Sequence, residues 1–174
     1  MKKSILWASV LAVVVLVGLL VLTTSRQGSQ SPSGPSGSDF VLQSADGVVD
    51  SKTLRGKVLL IYFGYTNCPD ICPASLANGG QALNALTSDE RAKVKMLLVS
   101  VDPARDTLAR LKEYTAYFHP EMQGITGSAA EIAALAKSFG AGYVAQAAKA
   151  DGSYAVFQNQ KIYKLLINKM LFFR

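Results

Sequence analysis

The chain has 174 residues, 49% of them hydrophobic, with 18 lysines and arginines against 12 aspartates and glutamates and a formal net charge of +6. That length suits one modest folded domain with appendages, and a charged fraction of 17% without a basic cluster argues against a nucleic-acid-binding surface. Two cysteines and one histidine are too few for a structural zinc site, which takes about four ligands.

Met1-Lys2-Lys3 is a short positive start, and residues 5–22 form an apolar run of eighteen residues in which Ser9 is the clearly polar member. At about 1.5 Å per residue such a helix nearly crosses a hydrocarbon core of about 30 Å. A cleaved signal peptide has a shorter apolar region, about 7–15 residues, and an A-x-A-like site. Leu20-Val21-Leu22-Thr23-Thr24-Ser25 offers no such triplet, so residues 1–24 are expected to be an uncleaved membrane anchor. With no cysteine in or just after the run, a lipidated N-terminus of the bacterial lipoprotein kind is excluded. Lys2 and Lys3 before the span, against Arg26 after it, put the N-terminus in the cytoplasm and the rest outside. Residues 25–38, rich in Ser, Gly, Gln and Pro, have the composition of a flexible tether.

The folded domain is expected over residues 39–174. Phe40-Val41-Leu42 reads as a short strand, Asp46-Gly47 as a hairpin turn and Val48-Val49 as its return. Residues 58–63 form a continuous apolar run followed by a helical pattern, the signature of a strand covered on both faces. Helices are expected over residues 74–86, on Leu76, Leu83 and Leu86, and over residues 107–118, on Leu108, Leu111, Tyr114 and Phe118. A third spans residues 128–139, on Ile132, Leu135 and Phe139, and Gly140 closes it. Residues 94–101 supply a second buried strand, and residues 143–147, 154–156 and 162–167 are further extended candidates around a turn at Asp151-Gly152. This alternation of strand and helix predicts an α/β sheet with parallel neighbours and right-handed crossovers, in which reactive groups gather at the carboxyl ends of strands.

Cys68 and Cys72 lie at such an end, in the loop between residues 58–63 and the helix expected to open at Pro73. Pro73 suits a first helical position, and Cys72 beside it would feel the unpaired N–H groups of the helix end, which favour thiolate over thiol. Four residues apart, the two sulfurs can share one face and clamp a soft ion, Cu(I) or Zn(II). A disulfide needs Cβ atoms about 4 Å apart, so the loop would have to tighten to form one. The plain alternative is two small buried hydrophobes. Asp70 between them is a turn or cap residue, or else a carboxylate that tunes the sulfurs. His119, before Pro120, reads as a solvated helix-terminal residue rather than a ligand, and Met122 as packing. Asp102, Arg105 and Asp106 read as scaffold, a loop-to-helix start with an internal ion pair.

These residues carry a resemblance. Phe63-Gly64-Tyr65-Thr66-Asn67-Cys68-Pro69-Asp70-Ile71-Cys72-Pro73, then Val99-Ser100-Val101-Asp102-Pro103-Ala104-Arg105-Asp106-Thr107, and Phe118-His119-Pro120 before Gly127 closely resemble the SCO/SenC family of membrane-anchored copper proteins over about residues 39–156. The resemblance implies a single-domain thioredoxin-like fold, a sheet flanked by helices, held outside the bacterial inner membrane or in the mitochondrial intermembrane space. It implies copper held by Cys68, Cys72 and a distant histidine, and assembly of the binuclear copper site of cytochrome c oxidase. Some family members are proposed to be thiol-disulfide reductants for that site.

The histidine does not transfer. In the family it lies a few residues after a segment like Asp151-Gly152-Ser153-Tyr154-Ala155-Val156, usually in an Asp-His-Ser triplet, whereas this chain continues Phe157-Gln158-Asn159-Gln160-Lys161. Residues 157–174 thus depart from the family pattern, through truncation, an altered reading frame or divergence. Two thiolates without the histidine suit Cu(I), which accepts low coordination, better than Cu(II). The expected function is a periplasmic copper chaperone that delivers Cu(I) to the copper-bearing oxidase subunit or another copper protein. The alternative is a membrane-anchored thiol-disulfide oxidoreductase, or a redox sensor, with Cys68 and Cys72 as the reactive pair and as a disulfide when oxidised.

Overall fold

A computed structural model describes residues 37–146, 154–158, 162–166 and 169–170, within a compact unit spanning Pro35–Arg174. The expected anchor and all but the last two residues of the expected tether lie outside the described residues, as does the Asp151-Gly152 turn. Among the described residues no helix is long and apolar enough to cross a membrane.

The two apolar runs form the centre. Strand β3 (Val58–Gly64) and strand β4 (Val94–Ser100) pair in parallel from Val58↔Val94 to Gly64↔Ser100. Leu59, Ile61, Leu97, Leu98 and Val99 are all fully buried, as strands covered on both faces require. Strand β5 (Met122–Ile125) extends the sheet in parallel beside β4. The other edge differs from the expectation of parallel neighbours. Strand β8 (Ile162–Leu166) runs antiparallel to β3, with Tyr62↔Ile162 and Val58↔Leu166 in register, and β9 (Lys169–Met170) runs antiparallel to β8. The sheet is therefore mixed, in the order β5-β4-β3-β8-β9. The parallel half arises where helical crossovers link the strands, whereas β8 and β9 follow each other with only two residues between them, which permits antiparallel pairing alone.

Two small sheets complete the fold. Strands β1 (Val41–Ser44) and β2 (Gly47–Asp50) form the expected hairpin, with Gly47 at φ +118°, and a bridge from Gln43 to Thr126 ties it beside β5. Strands β6 (Tyr143–Ala145) and β7 (Val156–Gln158) pair antiparallel.

Helix α1 (Ile71–Asn84) starts three residues earlier than expected, making Pro73 its third residue. The missing N–H there is still one of the four that have no acceptor inside the helix. A short helix α2 (Ser88–Arg91) carries a capping box between Thr87 and Glu90. Helix α3 (Leu108–Phe118) is capped by Thr107, whose hydroxyl accepts from the Arg110 N–H. Helix α4 (Ala129–Phe139) opens on a Ser128–Glu131 capping box and closes on Gly140 in the left-handed region, φ 65°. The helices pack closely. A Cβ on Gly80 of α1 would lie 2.7 Å from the Phe118 carbonyl oxygen at the end of α3, and Phe139 of α4 meets Phe63 of β3 with ring centroids 5.8 Å apart.

Candidate metal centre

Beyond Gly64 the chain turns sharply, and the Cys68 N–H donates to the Tyr65 carbonyl at 3.4 Å. Asp70 takes the N-cap position of α1 but makes no side-chain cap; it is exposed. Cys68 substitutes for it: its Sγ accepts from the Cys72 N–H at 3.4 Å, so a sulfur satisfies one of the helix's unpaired donors. Both cysteines are reduced, with no disulfide between them.

The pair does not lie at an open helix end that favours thiolate; it is buried, the plain alternative the sequence left open. Cys72 is fully buried and Cys68 is 8% exposed. Nor does the helix start dominate the chemistry of Cys72. Burial comes first, a hydrogen bond to Cys68 adds to it, and together they push the Cys72 thiol up to about 11 from an ordinary 9.0. The Tyr65 N–H and the Tyr62 hydroxyl act on the same sulfur in the opposite direction, without overcoming burial. The expectation fails because α1 begins at Ile71: Cys72 lies inside the first turn, facing the core with Leu76, rather than at a solvated junction.

Three tyrosines line this region, and sequence reasoning had assigned none of them to the site. Tyr62, on β3, is buried and hydrogen-bonded to both Cys72 and Ser75; burial raises its hydroxyl far above the ordinary tyrosine range. Tyr65, also buried, accepts at its hydroxyl from the Val156 N–H at 3.3 Å, which brings the β7 strand against the cysteine loop. Tyr114 projects from α3, with its ring edge-on to Phe118 at 5.2 Å. The apolar stripe of α3 had placed Tyr114 among core residues, and nothing in the spacing separates it from them.

The loop after β4 anchors the loop after β3. Buried Asp106 accepts from the Thr66 N–H at 3.1 Å, the Thr66 hydroxyl at 2.6 Å and the Ser100 hydroxyl at 2.6 Å. Arg110 adds bonds from outside, Nε to the Thr66 hydroxyl at 2.7 Å and a terminal nitrogen to Asn67 Oδ1 at 2.6 Å. Asp102 pairs with Arg105, whose guanidinium lies 3.6 Å from the centroid of the Tyr154 ring and donates to the Tyr154 carbonyl at 2.9 Å. Tyr154 closes the cluster by donating its hydroxyl to Asp102 at 2.6 Å.

His119 is not the solvated residue expected. It is 5% exposed, and its Nδ1 accepts from the Glu121 N–H at 3.1 Å, so it folds the end of α3 onto the turn into β5. The expectation fails because the turn at Pro120 supplies a backbone donor that holds the ring inside. Met122 packs in β5, 4% exposed. Among the described residues no three of His, Cys, Asp and Glu are grouped to hold a metal. Residues 159–161 lie outside the described residues. The chemistry on offer is therefore two adjacent soft donors in a dry, hydroxyl-lined setting, which suits a soft monovalent ion at low coordination better than a hard divalent one.

The SCO1/SenC family profile matches residues 28–172. The mitochondrial SCO1 homolog 1 of Arabidopsis thaliana is 36% identical over 132 residues, covering 75% of this chain and 39% of that protein. The chain thus spans less than two thirds of the length of this relative. The copper-bound structure of Bradyrhizobium japonicum ScoI superimposes with a TM-score of 0.72 at 36% identity, covering 78% of this chain and 87% of that one. A solved structure of BsSco, described as a member of the Sco family of cytochrome c oxidase assembly proteins with a disulfide switch, matches at 28% identity and a TM-score of 0.52, over 78% of this chain and 86% of that one.

Proposed function

Since the chain belongs to the SCO1/SenC family, we propose that it carries Cu(I) on Cys68 and Cys72 and passes it on during assembly of the copper site of cytochrome c oxidase. The observation that supports this reading is the closeness of the two cysteines: the Cys72 N–H donates to Cys68 Sγ at 3.4 Å, and the two side chains are hydrogen-bonded to each other. Copper in a structure of a relative at 36% identity supports it. The ion is cargo. On binding it replaces the thiol protons of Cys68 and Cys72, which leave to solvent, and the two thiolates then compensate its charge in a setting that disfavours isolated charge. Cys68 is the point of access, since its neighbours Asn67, Pro69 and Asp70 are exposed while Cys72 is sealed. Sulfurs of an accepting protein enter at Cys68, and Cys72 releases last. The accepting protein is the copper-bearing oxidase subunit or another copper protein. The domain, residues 39–174, works outside the membrane, on the periplasmic side in a bacterium, held by residues 1–24 through the tether at 25–38.

The test is Cu(I) uptake by the reduced protein in competition with a chelator of known affinity. One equivalent is expected, with Cys68→Ser and Cys72→Ser each weakening it more than about 100-fold, the upper range for losing merely an outer partner of a ligand. Apparent affinity rises at least about tenfold per pH unit from pH 6 to 8, because the Cys72 proton must leave first. Equal binding by wild type and variants overturns the reading.

The hydrogen bond between the two thiols also favours a second reading, a thiol-disulfide exchange protein or redox sensor. Cys68 attacks a partner disulfide, one partner sulfur leaves as a thiol, and Cys72 displaces the other to leave a Cys68–Cys72 disulfide, the partner gaining two electrons and two protons. This reading requires turnover on a disulfide-bonded protein; absence of exchange with any such substrate removes it.

A further inference from the structure

The edge of the main sheet holds a cavity that the cysteine chemistry leaves unused. It measures about 270 Å³ and lies where the tip of the β1–β2 hairpin meets β4, β5 and α3, with Asp46, Lys95, Lys112 and Gln123 among its walls. β5 is the last strand of its sheet, so the hairpin tip forms a separate wall beside it, and two interactions hold the tip there. Gln123 donates a side-chain N–H to the Ser44 hydroxyl at 2.9 Å, and the Lys112 ammonium pairs with Asp46.

The walls favour negative charge. Two ammonium groups face one carboxylate there, and that carboxylate is already paired with Lys112. Lys95, the second residue of β4, is half-buried. Burial and then the Lys57 ammonium disfavour its charged form, and Asp46 and Glu121 offset them only in part. An anion in the cavity would supply the rest of that compensation. The Gln123 amide nitrogen carries a second hydrogen beside the one given to Ser44, a further donor for the same anion.

We propose that this cavity binds a small phosphate-type oxyanion, free phosphate or the phosphate of a lipid headgroup, between the Lys95 and Lys112 ammonium groups. Its volume falls below the range of about 300–1,000 Å³ typical of pockets for drug-sized ligands, which leaves room for one such group and not for a nucleotide. The cation type points the same way. Planar carboxylates are best matched by the arginine fork, and no arginine lines the cavity among the described residues, whereas lysine serves phosphate as a compact point charge. Lys95 pairs with Leu59 near the start of β3, while the cysteine loop follows Gly64 at its end, about 16 Å of strand further on. The inference therefore stands independently of the copper reading.

The test is a titration of the full chain, in a detergent without phosphate groups, with inorganic phosphate at constant ionic strength. Saturable shifts are expected in the backbone amide resonances of Lys95 and Gln123. Lys95→Gln should weaken binding about tenfold, the loss of one bond to a charged group. Asp46→Asn should tighten it about threefold, because the carboxylate beside Lys112 no longer repels the anion, an effect on the scale of one exposed charge pair. Asn-Gly suits the hairpin turn as Asp-Gly does, so this variant keeps the tip. Damage to the fold would weaken both variants, so opposite signs are specific to the cavity. A parallel titration with water-soluble dibutyryl phosphatidic acid separates the two sources. Binding tighter than that of phosphate assigns the cavity to a headgroup, and equal or weaker binding assigns it to the free ion; either upholds the site. Shifts that fail to saturate or that chloride reproduces, binding unchanged in Lys95→Gln, or no tightening in Asp46→Asn overturns the proposal.

Discussion

The two loops at the carboxyl ends of β3 and β4 are neighbours built on opposite principles. The loop after β4 carries its own ion pair and cap: Asp102 pairs with Arg105, Thr107 caps α3, and buried Asp106 accepts from Ser100 at the end of β4. The loop after β3 is not. Its N-cap residue, Asp70, makes no side-chain cap, its helix start is met by a sulfur, and its order comes from Asp106 and Arg110 of the other loop. A segment whose donors are satisfied by its own reactive group would lose order whenever that group reacted. Here the helix start depends on Cys68, but the bonds that hold Thr66 and Asn67 are supplied from outside, so these two residues stay in place while Cys68 and Cys72 change partners.

The hardest blow to this arrangement is Asp106→Ala. It strands the Ser100 hydroxyl and the Thr66 N–H and hydroxyl together, and should cost about 4 kcal/mol in urea unfolding, since each partner left unsatisfied costs about 1–3 kcal/mol. Cu(I) affinity should fall as well, by about tenfold, as for loss of an outer partner. A variant that loses stability but binds copper as wild type does would show that the two loops are mechanically independent.

Raising the pH probes the reactive loop and the tyrosines around it. The folded state holds the Cys72 thiol at about 11 against 9.0 for an ordinary one, so between those values the unfolded chain has released a proton that the folded chain keeps. Stability is therefore complete below pH 9 and falls as pH rises toward 11, by about 2–3 kcal/mol at about 1.4 kcal/mol per pH unit. Tyr62 and Tyr114, both raised by burial, extend the loss to still higher pH. Urea unfolding of Cys72→Ala at pH 8 and pH 10.5 should show a smaller loss than wild type; equal losses would assign the alkaline weakness to the tyrosines.

The smallest effect sharpens the contrast most directly. Thr107→Ala removes a working cap and should cost about 1 kcal/mol. Asp70→Ala occupies the same kind of position without capping and should stay within about 0.5 kcal/mol of wild type. Equal costs in the two variants would erase the distinction between the loops.

Which of these features the residues announce follows from the range of the forces involved. Residues 58–63 and 94–101 read as buried strands because an unbroken apolar run has few other solutions, and the cysteine pair stood out by its place at a strand end. Gly140 and Ser128 marked the ends of α4 through local backbone chemistry. Strand β5 was missed, since Met122-Gln123-Gly124-Ile125 is four residues long with a glycine inside, though its partner β4 holds it in parallel register. Helix α2 was missed although Thr87-Ser88-Asp89-Glu90 is a readable capping box, because a helix of four residues has no periodicity to weigh. Burial of Cys72 and of His119 was misread for one reason: each sits at a helix end, which looks solvated in one dimension and is covered in three by elements far away in the chain. The direction of β8 was unreadable for a related reason, as nothing within residues 162–166 records which way the preceding chain turns.

That last strand has a bearing on how the domain can fail. β3 leads straight into the cysteine loop, and along one side its backbone is sealed by β8. Peel those five residues away and the central strand becomes a raw margin of unclaimed amides, ready to zip onto the same margin of another molecule. By occupying that margin, β8 leaves no open edge on the strand that leads into the cysteine loop.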